Sequence, residues 1–208
     1  MIVKKLLRKT MPRPSNKEQR RKEIVQGLLD VMSEKGYENA SIQAIGKACG
    51  LTPGLIHYHF KTKQEILVAL IKSLSLIAQQ RYEGLLESAK SPREKLEAFI
   101  DAALSLGEGA DEKAVSAWVV IGAEAIRQPE VQILYQEIIK RNKLELMKLL
   151  SSLDSEMNAK LTNKKIENIA MMSLSSIIGA YQLATTVKEI APKNYASDTL
   201  KQFIFDFI

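Results

Sequence analysis

Gly54, His57, Tyr58, His59, Lys61 and Lys63 gather hydrogen-bonding and cationic groups into one short stretch, LTPGLIHYHFKTKQEIL, from Leu51 to Leu67. Thr52 is an N-cap residue, and Pro53 suits a first helical position, where its missing N–H and fixed φ do no harm. The spacing predicts a short helix over 53–59. A second start follows at Thr62, with Glu65 three residues on as a capping box. A helix this short is not stable alone in water. Neighbours must hold it, and its use lies in what it displays: donors and cations rather than a core face.

Other chemistries for these residues are weaker. His57 and His59, two residues apart on a helix, point to different faces, whereas a metal site takes i, i+3 or i+4; no metal is expected. Cys49 is the only cysteine. It excludes an intrachain disulfide, fits a reducing compartment, and reads as a small buried thiol in a turn. Both histidines and the cysteine fall in the first 63 residues, so the remainder lacks the side chains of a nucleophilic triad or soft metal site. No phosphate-cradling or dinucleotide glycine motif is present. Neither an enzyme nor a cofactor is expected.

Charge divides the chain in the same way. Residues 1–63 hold 13 Lys and Arg against 5 Asp and Glu, a balance of +8, which leaves −2 of the overall +6 for the rest. A basic first third on a near-neutral remainder implies a polyanion partner for that third alone. No apolar run reaches membrane-spanning length and the N-terminus has no signal-peptide core, so the protein is expected to be soluble and cytoplasmic, nucleoid-associated, with no membrane partner. Residues 1–14 read as a disordered basic arm, and Met11 is an alternative start.

The elements that must position the stretch are helical throughout, with apolar residues at 3.6 spacing in long segments. Ser15 and Glu18 form a capping box for a first helix carrying Ile24, Val25, Leu28, Leu29 and Met32, with Gly36 beyond its end. Ser41 caps a second helix with Ile42 and Ile45 inward and Gly46 on its inner side. Cys49-Gly50-Leu51 is a tight turn. Two short helices across such a turn make a helix-turn-helix, with Ile56 and Phe60 as core plugs. A long helix over about 63–89, roughly 40 Å at 1.5 Å per residue, follows with Ile66, Leu67, Leu70, Ile71, Leu74, Ile77 and Ala78 inward, long enough to act as a lever. Ser91-Pro92-Arg93-Glu94 opens a fifth helix, which Gly107 and Gly109 break. Asp111 caps a sixth, Gln128-Pro129-Glu130 starts a seventh to about Leu153, and 155–161 is a polar connection. An eighth covers about 163–190 and a ninth about 197–208. The expected architecture is all-α, with about nine helices: a helix-turn-helix domain over 15–62 and a helical effector-binding and dimerisation domain over 63–208.

Gly36-Tyr37, Ser41, Ile45, Cys49-Gly50-Leu51-Thr52, Gly54, Ile56, His57, Tyr58, His59, Phe60 and Lys63 together resemble the N-terminal domain of the TetR-type transcriptional regulators. His57, Cys49 and Gly46 depart from that family's usual Tyr, Ala and Ala, and Pro53 and Leu55 replace a commonly polar pair. The stretch from Trp118 through Gln128-Pro129 to Leu150 resembles the BetI subgroup. The resemblance implies a homodimer on a palindromic double-stranded DNA operator, repressing until a small hydrophobic or amphipathic effector releases it.

On that reading Ser41, Thr52, Pro53, Gly54, Leu55, His57, Tyr58, His59 and Lys63 are the DNA-facing residues. Lys63 with the N–H groups of its helix would seat a phosphate, Thr52 and His59 would reach backbone oxygens, and Leu55 would touch a thymine methyl. Phe99, Trp118, Tyr135, Met171, Met172 and Tyr181 either line an effector pocket or are plain core. Glu124 and Arg127 read either as polar groups of that pocket or, in preference, as surface residues. The last two helices, about 163–190 and 197–208, would form the dimer interface. The competing reading is a DNA-binding protein of the same fold with a structural or partner-recruiting role and no effector; a solid core around Trp118 and Met172 would favour it.

Overall fold

The computed structural model describes residues 16–104, 111–192 and 194–208. The expected arm over 1–14, the Ser15 cap, and Gly107 and Gly109 lie outside them. Among the described residues the chain forms nine helices and no strand: α1 (Asn16–Asn39), α2 (Ile42–Cys49), α3 (Pro53–His59), α4 (Lys63–Leu86), α5 (Pro92–Ala103), α6 (Glu112–Arg127), α7 (Pro129–Met157), α8 (Asn163–Thr186) and α9 (Tyr195–Phe207).

Local chemistry sets most of the starts. Ser41, Thr52, Thr62, Ser91, Asp111 and Thr162 each accept a hydrogen bond from a backbone N–H of the first turn, satisfying a donor that the helix leaves orphaned. Ser91 and Glu94 make a reciprocal capping box. At α4 the return arm differs: Glu65 accepts from the Lys61 N–H at 2.9 Å, not from that of Thr62. α7 runs past Leu153 to Met157, where Asn158 stops it at φ 54°. α8 ends at Thr186, short of the expected 190.

Two cores divide the work. The first joins Ile24, Leu28 and Met32 of α1, Ile45, Ile56 and Phe60, the α4 residues Ile66 to Leu74, and Ala117, Ile121 and Val131 of α6 and α7. The second is built by α5, α7, α8 and α9 around Leu96, Ile100, Leu150, Leu174 and Leu200. The first core therefore includes residues from both ends of the sequence division expected at 62/63. Ile77, expected inward on α4, is 58% exposed, because the helix stops packing on α1 after Leu74.

Candidate DNA interface and cavity

α3 is held by two anchors, Ile56 and Phe60, which are almost wholly buried. Thr52 Oγ1 accepts from the Leu55 N–H at 3.4 Å. Gly46 makes the turn before α3 possible: a Cβ there would lie 2.6 Å from the Leu51 carbonyl oxygen, inside any real contact. Ser41, Thr52, Pro53, Gly54, Leu55, His57 and Tyr58 are all exposed, Tyr58 at 76%. α3 itself carries no carboxylate.

Two of the nine expected contact residues are placed differently. The imidazole of His59 is turned inward and 9% exposed, with Nδ1 buried and unpartnered. Its ring meets that of Tyr58 edge-on at 5.1 Å, and its backbone carbonyl accepts from Arg21. Sharing the face of Ile56, three residues earlier, it follows that residue into the core. Lys63 is also turned inward. Its ammonium donates to the carbonyls of Tyr37 at 2.8 Å and Glu38 at 3.3 Å and lies 4.2 Å from the centroid of the Tyr37 ring. Burial pushes its pKa down against the opposing pull of Glu124 and Glu38. It closes the end of α1. Within the first 63 residues, the cations left exposed without an ion-pair partner among the described residues are Lys17, Lys22 and Lys35 on α1, Lys47 on α2, and Lys61. Sequence reasoning placed Lys61 on the displayed stretch but put the phosphate on its neighbour.

A cavity of about 1150 Å³ opens between α4, α5, α6, α7 and α8. Phe99, Trp118, Tyr135 and Tyr181 are in its wall, as expected for a pocket. Met171 and Met172 are not; both are exposed on α8, and Met172, at 66% exposure, lies on the side opposite Ala170, Leu174 and Ile177. Tyr82, which the sequence did not single out, is also in the wall. Four residues after Ala78, it continues that residue's helix face. It packs edge-on against Phe99 at 5.3 Å and donates to Glu145 at 2.9 Å. Burial raises the Tyr82 and Tyr135 phenols and pushes Tyr181 up to about 12, where the hydroxyl donates to the Ala103 carbonyl.

α6 connects cavity and helix-turn-helix. Trp118, Val119, Gly122 and Ile126 face the cavity, while Ala117 and Ile121 pack in the core shared with α1. Lys113–Asp30 at 2.6 Å, Arg127–Glu38 at 2.6 Å and Ser116 Oγ donating to the Ser33 carbonyl at 3.3 Å cross the same joint. Glu124, expected at the surface, is 7% exposed. It accepts from Gln128 at 2.7 Å, and its charge adds to burial in pushing the Tyr37 phenol up to about 12.

Residues 24–70 match the family described as "Bacterial regulatory proteins, tetR family", and residues 92–208 match "BetI-type transcriptional repressor, C-terminal". The HTH-type transcriptional regulator BetI of Rhizobium meliloti is 29% identical over 147 residues, 69% of this chain and 72% of that protein. A transcriptional regulator from Rhodococcus sp. has the same fold, with TM-score 0.77 at 21% identity over 90% of this chain and 95% of that one. A putative regulator from Saccharomonospora viridis, solved in complex with choline, has TM-score 0.75 at 22% identity over 91% and 95%.

Proposed function

The chain belongs to the TetR family of bacterial regulatory proteins, with a BetI-type repressor C-terminal domain, and from that premise we propose that it is a dimeric, ligand-responsive repressor of a palindromic operator. Members of the family bind DNA and act as dimers. Two copies of α3 would enter successive major grooves, roughly 34–36 Å apart. Leu55, His57 and Tyr58 are its base-facing side chains. Thr52, Lys61, Lys17, Lys22 and Lys47 surround them as phosphate contacts, whose neutralisation supplies the sequence-independent part of affinity.

The dimer interface we assign is the outer face of α8 and α9. Met171, Met172, Ile178 and Leu183 on α8 and Phe203 and Phe207 on α9 are large apolar side chains left exposed in the single chain, and such a patch marks an interaction surface. Gly179, with open space beyond its α-carbon, admits a close helix partner.

The observation that carries the ligand-responsive reading is the cavity with α6 as its shared wall. A hydrophobic or amphipathic effector bound there would favour a different placement of the two α3 helices, and release DNA by that difference in affinity. The choline complex of the Saccharomonospora neighbour supports a small-molecule effector in this architecture. The same cavity weighs against a purely structural DNA-binding role, which needs no such space. A mobility-shift and footprinting experiment on the DNA flanking the gene tests the proposal. Protection of an inverted repeat with half-sites one helical turn apart, or a multiple of that, is expected. Failure to bind any inverted repeat specifically would sink it.

A further inference from the structure

Resting on the reading of the cavity as the effector site, we propose that its ligand is an extended amphiphile with an anionic head, of the fatty-carboxylate type, and that Arg141 reads the head. Three observations carry this. The first is size. At about 1150 Å³ the space exceeds the roughly 300–1,000 Å³ of ordinary small-molecule pockets, far more than a compact cation such as choline would fill. Along α4 the wall extends from Ser75 to Leu86, about 16 Å at 1.5 Å per residue, so the space is long as well as large.

The second is the lining. Leu86, Phe99, Trp118, Leu174 and Ile177 give a mainly apolar surface that an alkyl or aromatic body would cover. The third is the state of the charged groups. The carboxylates of the wall are engaged or solvated: Glu145 accepts from Tyr82 and lies 3.7 Å from Lys148, Glu83 accepts from Gln79 at 2.8 Å, and Glu137 is exposed. Of the three, Glu145 alone has a cation nearby, Lys148, and its other hydrogen bond is to a neutral phenol. Arg141 is exposed in the single chain as Glu137 is, but it is tethered: it donates to a neutral group, the buried Ser75 hydroxyl, at 2.8 Å. Among the described residues it has no carboxylate partner. A guanidinium has five N–H donors in a fixed fork, so the Ser75 bond orients it and leaves donors for a bidentate carboxylate. Lys140 beside it is likewise unpaired among the described residues.

Ser75 follows directly on Leu74, the last α4 residue of the core shared with α1. An anion drawn to Arg141 would therefore bind where the cavity meets that core.

Trp118, the chain's single tryptophan, lies in the wall and reports occupancy by fluorescence. The full-length protein is titrated, below micelle formation, with butyrate, octanoate and dodecanoate, with alcohols and alkyltrimethylammonium ions of matching length, and with choline. The expected result is saturable quenching that tightens with chain length and is at least tenfold tighter for a carboxylate than for the cation of equal length. Arg141→Gln should weaken dodecanoate about tenfold and leave the alcohol unchanged, with partial retention in Arg141→Lys. If choline or the alkyl cations bind tighter than the carboxylates, or Arg141→Gln weakens acid and alcohol alike, the anionic assignment is overturned while the cavity remains an effector site. If no compound, the alcohols included, alters the signal, both readings fall.

Discussion

Lys63 and Tyr37 form a closed clasp: the ammonium of the one lies 4.2 Å above the ring of the other and donates to that same residue's carbonyl at 2.8 Å. The clasp fastens the start of α4 to the end of α1. Lys63 is thereby a structural cation, and Lys61, two residues before it and exposed, is the free one. Lys63→Met should lower stability by about 1.5 kcal/mol, the scale of a hydrogen bond to a charged group, seen as a fall of a few degrees in Tm. Lys61→Ala should leave Tm unchanged and reduce the salt slope of operator binding by about 0.9 for each subunit. Salt titrations of both variants decide the matter; the reverse pattern would restore Lys63 as the phosphate seat.

Tyr58 and His59 are adjacent in sequence and opposite in exposure. Replacing Tyr58 with Ala should cost operator affinity without changing the fold. His59→Phe keeps the edge-on ring contact and removes a buried, unpartnered ring nitrogen. It should leave operator affinity within about threefold and stability unchanged or slightly higher, because an unsatisfied buried polar atom costs about 1–3 kcal/mol. Binding isotherms and thermal melts on the two variants check this. A large loss of DNA binding in a well-folded His59→Phe protein would place the imidazole on the DNA after all.

The contrast also shows what the sequence carries. Caps are local, and Thr52, Thr62, Ser91 and Asp111 announced helix starts that the structure places where their side chains say. Faces within a helix are legible too: His59 shares a face with Ile56, Glu124 with Ala117 and Ile121, and Met172 lies opposite Leu174. In these three cases helical phase, rather than residue type, decides where the side chain goes. The clasp was out of reach. Lys63 meets carbonyls of residues 37 and 38, and a backbone acceptor far back in the chain leaves no mark on sequence. The cavity is similar: aromatic residues on five helices look alike whether they pack together or line a space.

Gly46 is where this chain departs from its family's usual alanine, and the geometry gives a reason. A Cβ at that position would meet the Leu51 carbonyl oxygen at 2.6 Å, so Gly46→Ala must shift the backbone that launches α3. A loss of about 1–3 kcal/mol, the scale of overpacking a fitted site, is expected in denaturant melts, with weaker operator binding. Unchanged melts would mean that the turn relaxes freely.

Four phenols, Tyr37, Tyr82, Tyr135 and Tyr181, are held above their ordinary pKa chiefly by burial, Tyr37 and Tyr181 up to about 12. On unfolding they return to about 10. The unfolded chain then releases protons first, so the contribution these groups make is whole below pH 10 and is lost as pH rises toward 12. Ultraviolet titration should show their ionisation near pH 11 only together with unfolding, and urea midpoints should fall steadily above pH 10. Free titration of all 6 tyrosines in the folded protein at pH 10 would contradict the packing of the cavity wall.

Glu124 is the buried carboxylate between the cavity and the clasp. It sits on α6 within electrostatic reach of both Lys63 and Tyr37 and is hydrogen-bonded to Gln128, while Trp118 and Gly122 of the same helix face the cavity. Any shift of α6 on filling the cavity moves this charge relative to the lysine that fastens α4 to α1. Glu124→Gln keeps the shape and the hydrogen-bonding capacity but removes the charge. Operator affinity without effector should stay within about threefold. The effector's power to release DNA should fall by about tenfold, a coupling loss of about 1.4 kcal/mol, within the 1–3 kcal/mol typical of such links. Arg127→Ala, which opens an exposed pair with Glu38, should do much less, because exposed ion pairs contribute little. Measuring operator affinity with and without a cavity ligand in the three proteins separates the cases: equal coupling in all three would show that the signal travels by packing of Ala117 and Ile121 alone.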